Sequence, residues 1–549
     1  MALLLLFLEM PICWLFKGGY GFALPQLGRS PNNSPLRGQK MIGVILAAGI
    51  GSRLRPLTNT KPKCLVLCAG RPILQYQIDS YIYAGVFELI IVVGYEGDAV
   101  REYCKHIKGI KITIVENIDY EATNNMYSLY LAMPLVTGRS FVLNNSDLCI
   151  DRDVVERLIS HPSANSVAVS VGAYIDESMK VVVGADGVIV DISKQISHRT
   201  AYGCSIDFYK FSAEGGAVLF EEVRRVIENE KNVKDWTEVA MQRLFSSGRL
   251  DCKPCDVSDL SWVEVDNYDD LAASDREFSK FDDALESIDT VILDLDGTVY
   301  LGESVVPGAP EAIDELRKRG KQIFFVSNNS SKNKRAYVSK LAGFGICAGL
   351  DELYLSTDAL VDFLLAEEVG SVCVLGTSAL VEAIASEGID TEGDKPEYVI
   401  VGYDTELTYK NLERACKYIN SGVDILATHE DIFCPSENGP IPDAGALLEL
   451  LHVTTGKRSK HAFGKPSISL VRPLVDAGLV DPQRTLVVGD RLHTDILMAK
   501  NLKAFSLLVL SGETTREALE FCEVCPDFVL NSISDICISP AFNMLEKKY

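Results

Sequence analysis

The sequence predicts an α/β protein made of two successive units, the second interrupted by an inserted domain. Three observations carry that expectation. The apolar run from Ile42 to Ala48 has the composition of a strand buried in a parallel sheet, and it enters the glycine-rich stretch Gly49-Ile-Gly-Ser-Arg53 directly. A second apolar strand, starting at Val291, ends in Asp294-Leu-Asp296-Gly-Thr298. Finally, 138 positions separate Ser327 from Lys465, far more than a strand-to-helix connection uses.

Length and composition set outer bounds. At roughly 150 residues per domain, 549 residues allow three or four folding units. With 47% hydrophobic and 23% charged residues, the chain is not largely disordered, collagen-like or a disulfide scaffold. Its 53 basic against 76 acidic residues give a net charge of -23, which disfavours nonspecific polyanion binding, so no nucleic acid partner is expected. The fifteen cysteines are odd in number and dispersed, as in reduced proteins, so the expected location is cytoplasmic. Two Cys-x-x-Cys pairs, Cys252 with Cys255 and Cys522 with Cys525, could together offer four thiolates to zinc. Their wide separation and lack of a knuckle-like context favour buried structural thiols instead.

From Ala2 to Phe16 the chain is apolar except for Glu9 and Pro11, which is shorter than the ~20 residues of a membrane-spanning helix. No Lys or Arg precedes it, as one would in a secretory signal. Gly28 to Lys40 reads as disordered. Residues 1–40 are therefore expected to be a disordered or leader-like extension before a natural start at Met41, and no membrane partner is expected.

In the first unit, 41–275, glycines allow the backbone N–H groups to approach phosphates closely, and Arg53 adds charge. The dinucleotide fingerprint is incomplete, because Leu54 stands where its third glycine belongs. The longer stretch Leu46-Ala-Ala-Gly-Ile-Gly-Ser-Arg-Leu-Arg-Pro-Leu-Thr-Asn-Thr-Lys-Pro-Lys63 resembles the signature of the nucleoside-triphosphate transferases. That resemblance implies a Rossmann-like nucleotidyltransferase domain in which Leu46, Ala47, Ala48, Gly49, Gly51, Ser52, Arg53 and Lys63 hold the triphosphate, with Lys63 also catalytic. A helix-like Ile73–Tyr83 and an apolar Leu89–Val93 continue the α/β alternation. Asp147 lies beyond the strand Ser140–Leu143, and Asp266 closes Trp262-Val-Glu-Val-Asp266. Both sit where open sheets bind ligands, and both are Mg2+ candidates.

Thr123-Asn-Asn-Met-Tyr-Ser-Leu-Tyr130 looks like the phosphocholine and aminoalkylphosphonate cytidylyltransferase branch, as do Glu177-Ser-Met-Lys180, Lys194 and Trp236-Thr-Glu238. This favours CTP as the nucleoside triphosphate. Lys180 and Lys194 would bind phosphate, while Tyr127 and Trp236 could surround an ammonium group. Ordinary core packing is the other reading of both aromatics.

Residues 276–287 read as a polar linker. Beyond them, Asp294-Leu-Asp296-Gly-Thr298 resembles the first motif of the haloacid dehalogenase (HAD) superfamily. The resemblance makes Asp294 the nucleophile and Asp296 the acid–base. Phe324-Phe-Val-Ser327-Asn-Asn329, Lys465 in Gly-Lys-Pro, and Thr485-Leu-Val-Val-Gly-Asp490-Arg-Leu-His-Thr-Asp495 follow in the family's order. They imply that Ser327 and Lys465 serve catalysis and that Asn328 and Asn329 bind substrate. Asp294, Asp296, Asp490 and Asp495 would gather Mg2+, with His493 a surface residue. The expected layout is an α/β HAD core over 288–357 and 442–540, with an inserted α/β cap over 358–441. The match is closest to the class IIA branch, the 4-nitrophenylphosphatase and phosphoglycolate phosphatase type. One departure stands out: His429-Glu430 occupies the place of the usual Asn-Pro in the cap segment Ala427-Thr-His-Glu-Asp431.

The whole reads as a bifunctional Mg2+-dependent enzyme. The first unit would transfer CMP to a small phosphorylated alcohol or aminoalcohol, and the second would hydrolyse a phosphomonoester through an aspartyl-phosphate. A sugar-1-phosphate uridylyltransferase or thymidylyltransferase fused to a phosphatase is the alternative within enzymes. A non-catalytic regulatory module in one half is the alternative outside them. Assembly into a homo-oligomer is left open.

Overall fold

Ile42–Ala47 (β1) is buried along its whole length, as its uninterrupted apolar run requires of a strand covered on both faces. The computed structural model describes residues 41–173, 178–434, 439–519 and 521–537. The expected extension over 1–40 and Glu177 lie outside them. The predicted helix Ile73–Tyr83 (α1) forms, and its Tyr81 packs so closely on β1 that a Cβ on Gly43 would stand 2.7 Å from the ring.

The first sheet also contains Glu88–Val93 (β2), Lys111–Glu116 (β3), Phe141–Asn145 (β4), Ser166–Val171 (β5), Lys180–Val183 (β6), Ile189–Ser193 (β7), Gly203–Phe211 (β8) and Lys253–Asp256 (β9). Its order is β7-β6-β8-β4-β1-β2-β3, with β5 and β9 continuing from β8. The centre around β1 is parallel, while β8 runs antiparallel to β4. Phosphate-handling residues thus fall at the carboxyl ends of β1 and β4, the usual ligand edge of such sheets.

The segment expected as a linker is helical. Asn267 and Asp270 form a reciprocal capping box that starts Tyr268–Ser279 (α2), and Lys280 in the left-handed region turns the chain into Phe281–Ser287 (α3). Phe281 and Leu285 are buried with Phe528 in the core of the second half, so polar sequence here marks one wet helix face and not a tether.

The second half has a six-stranded parallel sheet built from Thr290–Asp294 (β10), Gln322–Ser327 (β11) and Leu353–Leu355 (β12), and, further along the chain, three more strands. A four-stranded parallel sheet is inserted between them: Val372–Leu375 (β13), Tyr398–Val401 (β14), Asp424–Ala427 (β15) and Ser459–Ala462 (β16). The core then resumes with Thr485–Gly489 (β17), Phe505–Val509 (β18) and Phe528–Leu530 (β19), in the order β12-β11-β10-β17-β18-β19. The inserted sheet takes its last strand from beyond residue 441, where the core was expected to resume. The reason is apolar: Leu447 and Leu451 of Ala444–Thr455 bury in one cluster with Ala415 and Ile419 of the helix Tyr409–Asn420 and with Leu375, Val401 and Ile425 of that sheet. Among the described residues, no helix is long and apolar enough to cross a membrane.

Candidate active sites

In the first half, the loop after β1 turns at Gly51, whose φ of 66° is left-handed and whose carbonyl accepts the Thr58 hydroxyl at 2.8 Å. A Cβ there would come within 2.8 Å of Lys63 Cβ, so glycine lets the loop lie against this lysine. Lys63 Nζ donates to Asp147 Oδ2 at 3.0 Å and Asp266 Oδ1 at 2.7 Å, and Arg53 reaches Asp266 Oδ2 at 2.9 Å. A short antiparallel ribbon, Leu148–Ile150 with Trp262–Glu264, forces this meeting across the sequence. It also brings in Glu264, so Asp147, Glu264 and Asp266 each place one ligand atom within 4.8 Å of the others.

Burial works against the charged form of Lys63, yet Asp147 and Asp266 outweigh it and hold its pKa above the ordinary lysine value. Burial, reinforced by Asp147 and Asp207, pushes Glu264 up to about 9. Asp147 Oδ1 is buried without a hydrogen-bond partner. An unpaired oxygen within three clustered carboxylates is a donor set suited to a hard divalent cation such as Mg2+.

A cavity of about 310 Å3 opens over this cluster, lined on one side by Ala48, Gly49, Arg53 and Lys63 and on the other by Lys194, Asp207, Trp236 and Glu238. Leu46 and Ala47 also line it, whereas Gly51 and Ser52 do not. Asp207 has a φ of 55°, strained for a residue with a side chain. Its Oδ2 accepts from Asn145 Nδ2 at 2.9 Å, and the Tyr209 hydroxyl lies 2.9 Å from both Asp207 Oδ1 and Glu238 Oε1. Burial, with Glu238 adding repulsion, raises Asp207 to about 7; burial likewise raises Glu238. Lys194 Nζ sits 5.2 Å from the Trp236 ring centre. Two expected binding residues lie elsewhere. Tyr127 stacks on Tyr130 at 5.9 Å, at the rim of the core, and Lys180 is buried in β6 with Nζ turned back toward the Ser178 carbonyl.

In the second half, adjacent parallel strands β11 and β10 end in Ser327 and Asp294, and Asp490 directly follows β17, so pairing alone converges three motifs. Gly297, at φ 89°, is required: a Cβ would lie 2.3 Å from Asp490 Oδ2. Lys465 pairs with Asp294 and, at 2.7 Å, with Asp495 Oδ1. Asn328 fixes this lysine's backbone, accepting its N–H at 2.7 Å and donating to its carbonyl at 3.1 Å. Asn329 instead accepts from Ser331 and shapes the following turn.

Asp294, Asp490 and Asp495 are buried with their oxygens within 4.8 Å; the Asp296 carboxylate, expected among them, does not join this group. Asp490 Oδ2 accepts the Glu513 N–H at 2.7 Å, leaving Oδ1 buried without a partner. The fit to a hard cation is the same as in the first half. Burial raises Asp294 well above the carboxylate range despite Lys465, and burial plus Asp495 raises Asp490 to about 7. Burial also raises Asp296, whose Oδ2 accepts the Tyr300 hydroxyl at 3.4 Å. His493 is exposed.

At the end of the inserted sheet, Asp431 accepts from Asn328 at 3.1 Å and faces Arg491 at 3.5 Å. The unusual His429 is fully buried, with Nε2 2.8 Å from Asp443 Oδ1. Glu264, Asp207 and Asp443 went unselected in the sequence. Glu264 stood two residues from a chosen aspartate, on the same side of its strand; Asp207 gave no signal, since its special backbone is invisible before folding.

Residues 42–181 match the nucleotidyl transferase family, 291–390 the haloacid dehalogenase-like hydrolase family, and 462–536 the HAD-hydrolase-like family. The acid sugar phosphatase of Staphylococcus saprophyticus is 31% identical over 45% of this chain and 95% of its own length. Human glycerol-3-phosphate phosphatase is 32% identical over 46% of this chain and 91% of its own. The crystal structure of 4-nitrophenylphosphatase from Thermotoga maritima, 36% identical, aligns with a TM-score of 0.45 over 47% of this chain and 99% of that one.

Proposed function

Given that the chain belongs to the haloacid dehalogenase-like hydrolases through its second half and carries a nucleotidyl transferase domain in its first, it is an enzyme with two chemistries, and we propose a substrate and a mechanism for each. The first half transfers CMP from CTP to a small phosphorylated aminoalcohol, releasing pyrophosphate. The second hydrolyses a small phosphomonoester through an aspartyl-phosphate. Both act on small cytoplasmic metabolites.

One observation carries the choice of acceptor. The cavity that begins at the glycine loop and Lys63 ends at the half-buried Asp207 and the buried Glu238, beside Trp236. Two carboxylates with an aromatic face suit an ammonium, whose charge favours their ionised forms, and Lys194 stands by for the attached phosphate. Arg53, Lys63 and the Gly49 backbone hold the triphosphate while an acceptor phosphate oxygen attacks the α-phosphorus and the α–β bridging bond breaks.

In the second half an Asp294 oxygen attacks phosphorus, and Asp296, whose burial favours the acid form, gives its proton to the departing alkoxide. Asp296 then takes a proton from the water that hydrolyses the aspartyl-phosphate, restoring both groups. Lys465 balances the anionic charge around Asp294, Ser327 orients the phosphoryl group, and Asn328, expected to bind substrate, instead positions Lys465 with the help of Asp431. Asp147, Glu264 and Asp266 would hold Mg2+ in one half, and Asp294, Asp490 and Asp495 in the other; the bound ion supplies charge neutralisation for the transferring phosphoryl groups.

The test is a matrix of CTP, UTP, dTTP and ATP against phosphoethanolamine, phosphocholine, glycerol phosphate and glucose 1-phosphate, reading pyrophosphate and orthophosphate separately. CTP with an ammonium-bearing phosphate is the expected pair. Preference for UTP or dTTP with a sugar phosphate overturns the first assignment. Undiminished orthophosphate release by Asp294→Asn overturns the second.

A further inference from the structure

The two Cys-x-x-Cys pairs, alike in sequence, have opposite surroundings. Cys252 and Cys255 are both buried at strand β9, but they enter different core clusters, Cys252 beside Leu250 and Cys255 beside Val257. They are structural thiols, as the sequence suggested. Cys522 and Cys525 are not: Cys522 is partly exposed, Cys525 is exposed, and their sulfurs lie 3.3 Å apart.

The segment carrying them is fixed at both ends. On one side, the short helix Arg516–Leu519 is held through Arg516, which pairs with Asp275 and donates to Asn531 at 3.3 Å. On the other, Asp527 accepts from the Ser506 hydroxyl and from Lys500, both at 2.7 Å. Cys68 and Cys149 also meet, but both are buried, whereas the Cys522–Cys525 contact is open to solvent.

We propose that Cys522 and Cys525 form a reversible dithiol–disulfide site that exchanges with disulfide-bearing molecules reaching it from solution. Cys525 is the attacking sulfur, since it is the more exposed of the two. Its thiolate attacks one sulfur of the incoming disulfide, breaking that S–S bond and expelling one thiolate. Cys522 then loses its proton to solvent, attacks Cys525 Sγ and expels the second thiolate. Two protein thiols give up two electrons and two protons, and the incoming disulfide becomes two thiols. The hydrogen bond between the two sulfurs lowers Cys525 to about 6, aided by Lys500, and raises Cys522.

The full chain is equilibrated in buffers of reduced and oxidised glutathione, quenched in acid, alkylated and mapped by mass spectrometry. The peptide carrying both cysteines should lose two hydrogens and resist alkylation along a two-electron titration. Cys522→Ser should instead trap glutathione on Cys525. With its pKa lowered, Cys525 should react faster at pH 6 than a free peptide cysteine, even after allowing for the lower nucleophilicity of a weaker base. Full alkylation of both cysteines at every glutathione ratio overturns the proposal. So does a Cys525 rate no higher than that of the free cysteine, or zinc retained by the pair until a chelator removes it.

Discussion

Arg516→Met is the substitution that most directly probes how the two halves are joined. Arg516 and Asp275 come from opposite halves and their side chains are only 9% and 5% exposed. Asp275 has one other partner, the Ala69 N–H at 2.7 Å. Burial raises the Asp275 pKa even with the arginine beside it, so the carboxylate depends on that partner to remain charged. Removing one member of a buried pair costs about 3–5 kcal/mol, against about 0–1 for a surface pair. At roughly 2–4 °C per kcal/mol for a domain of this size, melting should fall by about 6–20 °C. Removing both charges, Asp275→Leu with Arg516→Met, should recover part of the loss, because no unpaired buried carboxylate remains. The assay is thermal unfolding of the single and double variants. A single-variant loss below about 1 kcal/mol, or a double variant at least as unstable as the sum of the singles, refutes the reasoning.

Asp296→Asn should slow hydrolysis of alkyl phosphates by about 10²–10⁴-fold and formation of the covalent intermediate from 4-nitrophenyl phosphate far less, since nitrophenolate leaves without a proton. Because burial raises the Asp296 pKa, the acid form persists above the usual carboxylate range, so wild-type alkyl-phosphate turnover should fall as pH rises through that value, and the variant should lose this limb. Asp207→Asn with Glu238→Gln should raise the KM for a cationic acceptor by about 10–100-fold, the size of one or two charged hydrogen bonds, with the KM for CTP unchanged. Lys63→Met should cut nucleotidyl transfer by about 10²–10³-fold and leave phosphatase turnover intact, as measured by pyrophosphate and orthophosphate release.

The order of strands and motifs was legible because buried parallel strands write themselves as apolar runs, and because the Asp294 and Asp490 motifs end neighbouring strands of one sheet. Asp147 and Asp266 were picked out for the same reason, at strand ends, and Lys63 through the Lys-Pro-Lys of the transferase-like stretch. What escaped depends on contacts across the sequence. The helices at 268–287 looked like a tether because their apolar positions are few, Phe281 and Leu285 among them, and their partner Phe528 lies far along the chain. Tyr127 looked like a ligand aromatic because spacing cannot tell a cavity wall from a core rim. Asp207 reaches its site only through a left-handed backbone that nothing nearby in the sequence announces. The cap boundary failed where an amphipathic helix carried the chain back for one more strand of the inserted sheet.

Everything proposed for catalysis rests on two separate carboxylate clusters each gathering a divalent cation. Titration of the full chain with Mn2+ as a spectroscopic substitute for Mg2+, followed by electron paramagnetic resonance, counts those sites directly. The account predicts two sites, with Asp147→Asn weakening one by at least tenfold and Asp490→Asn weakening the other. A count that neither substitution alters, or one that a single substitution reduces to zero, contradicts it.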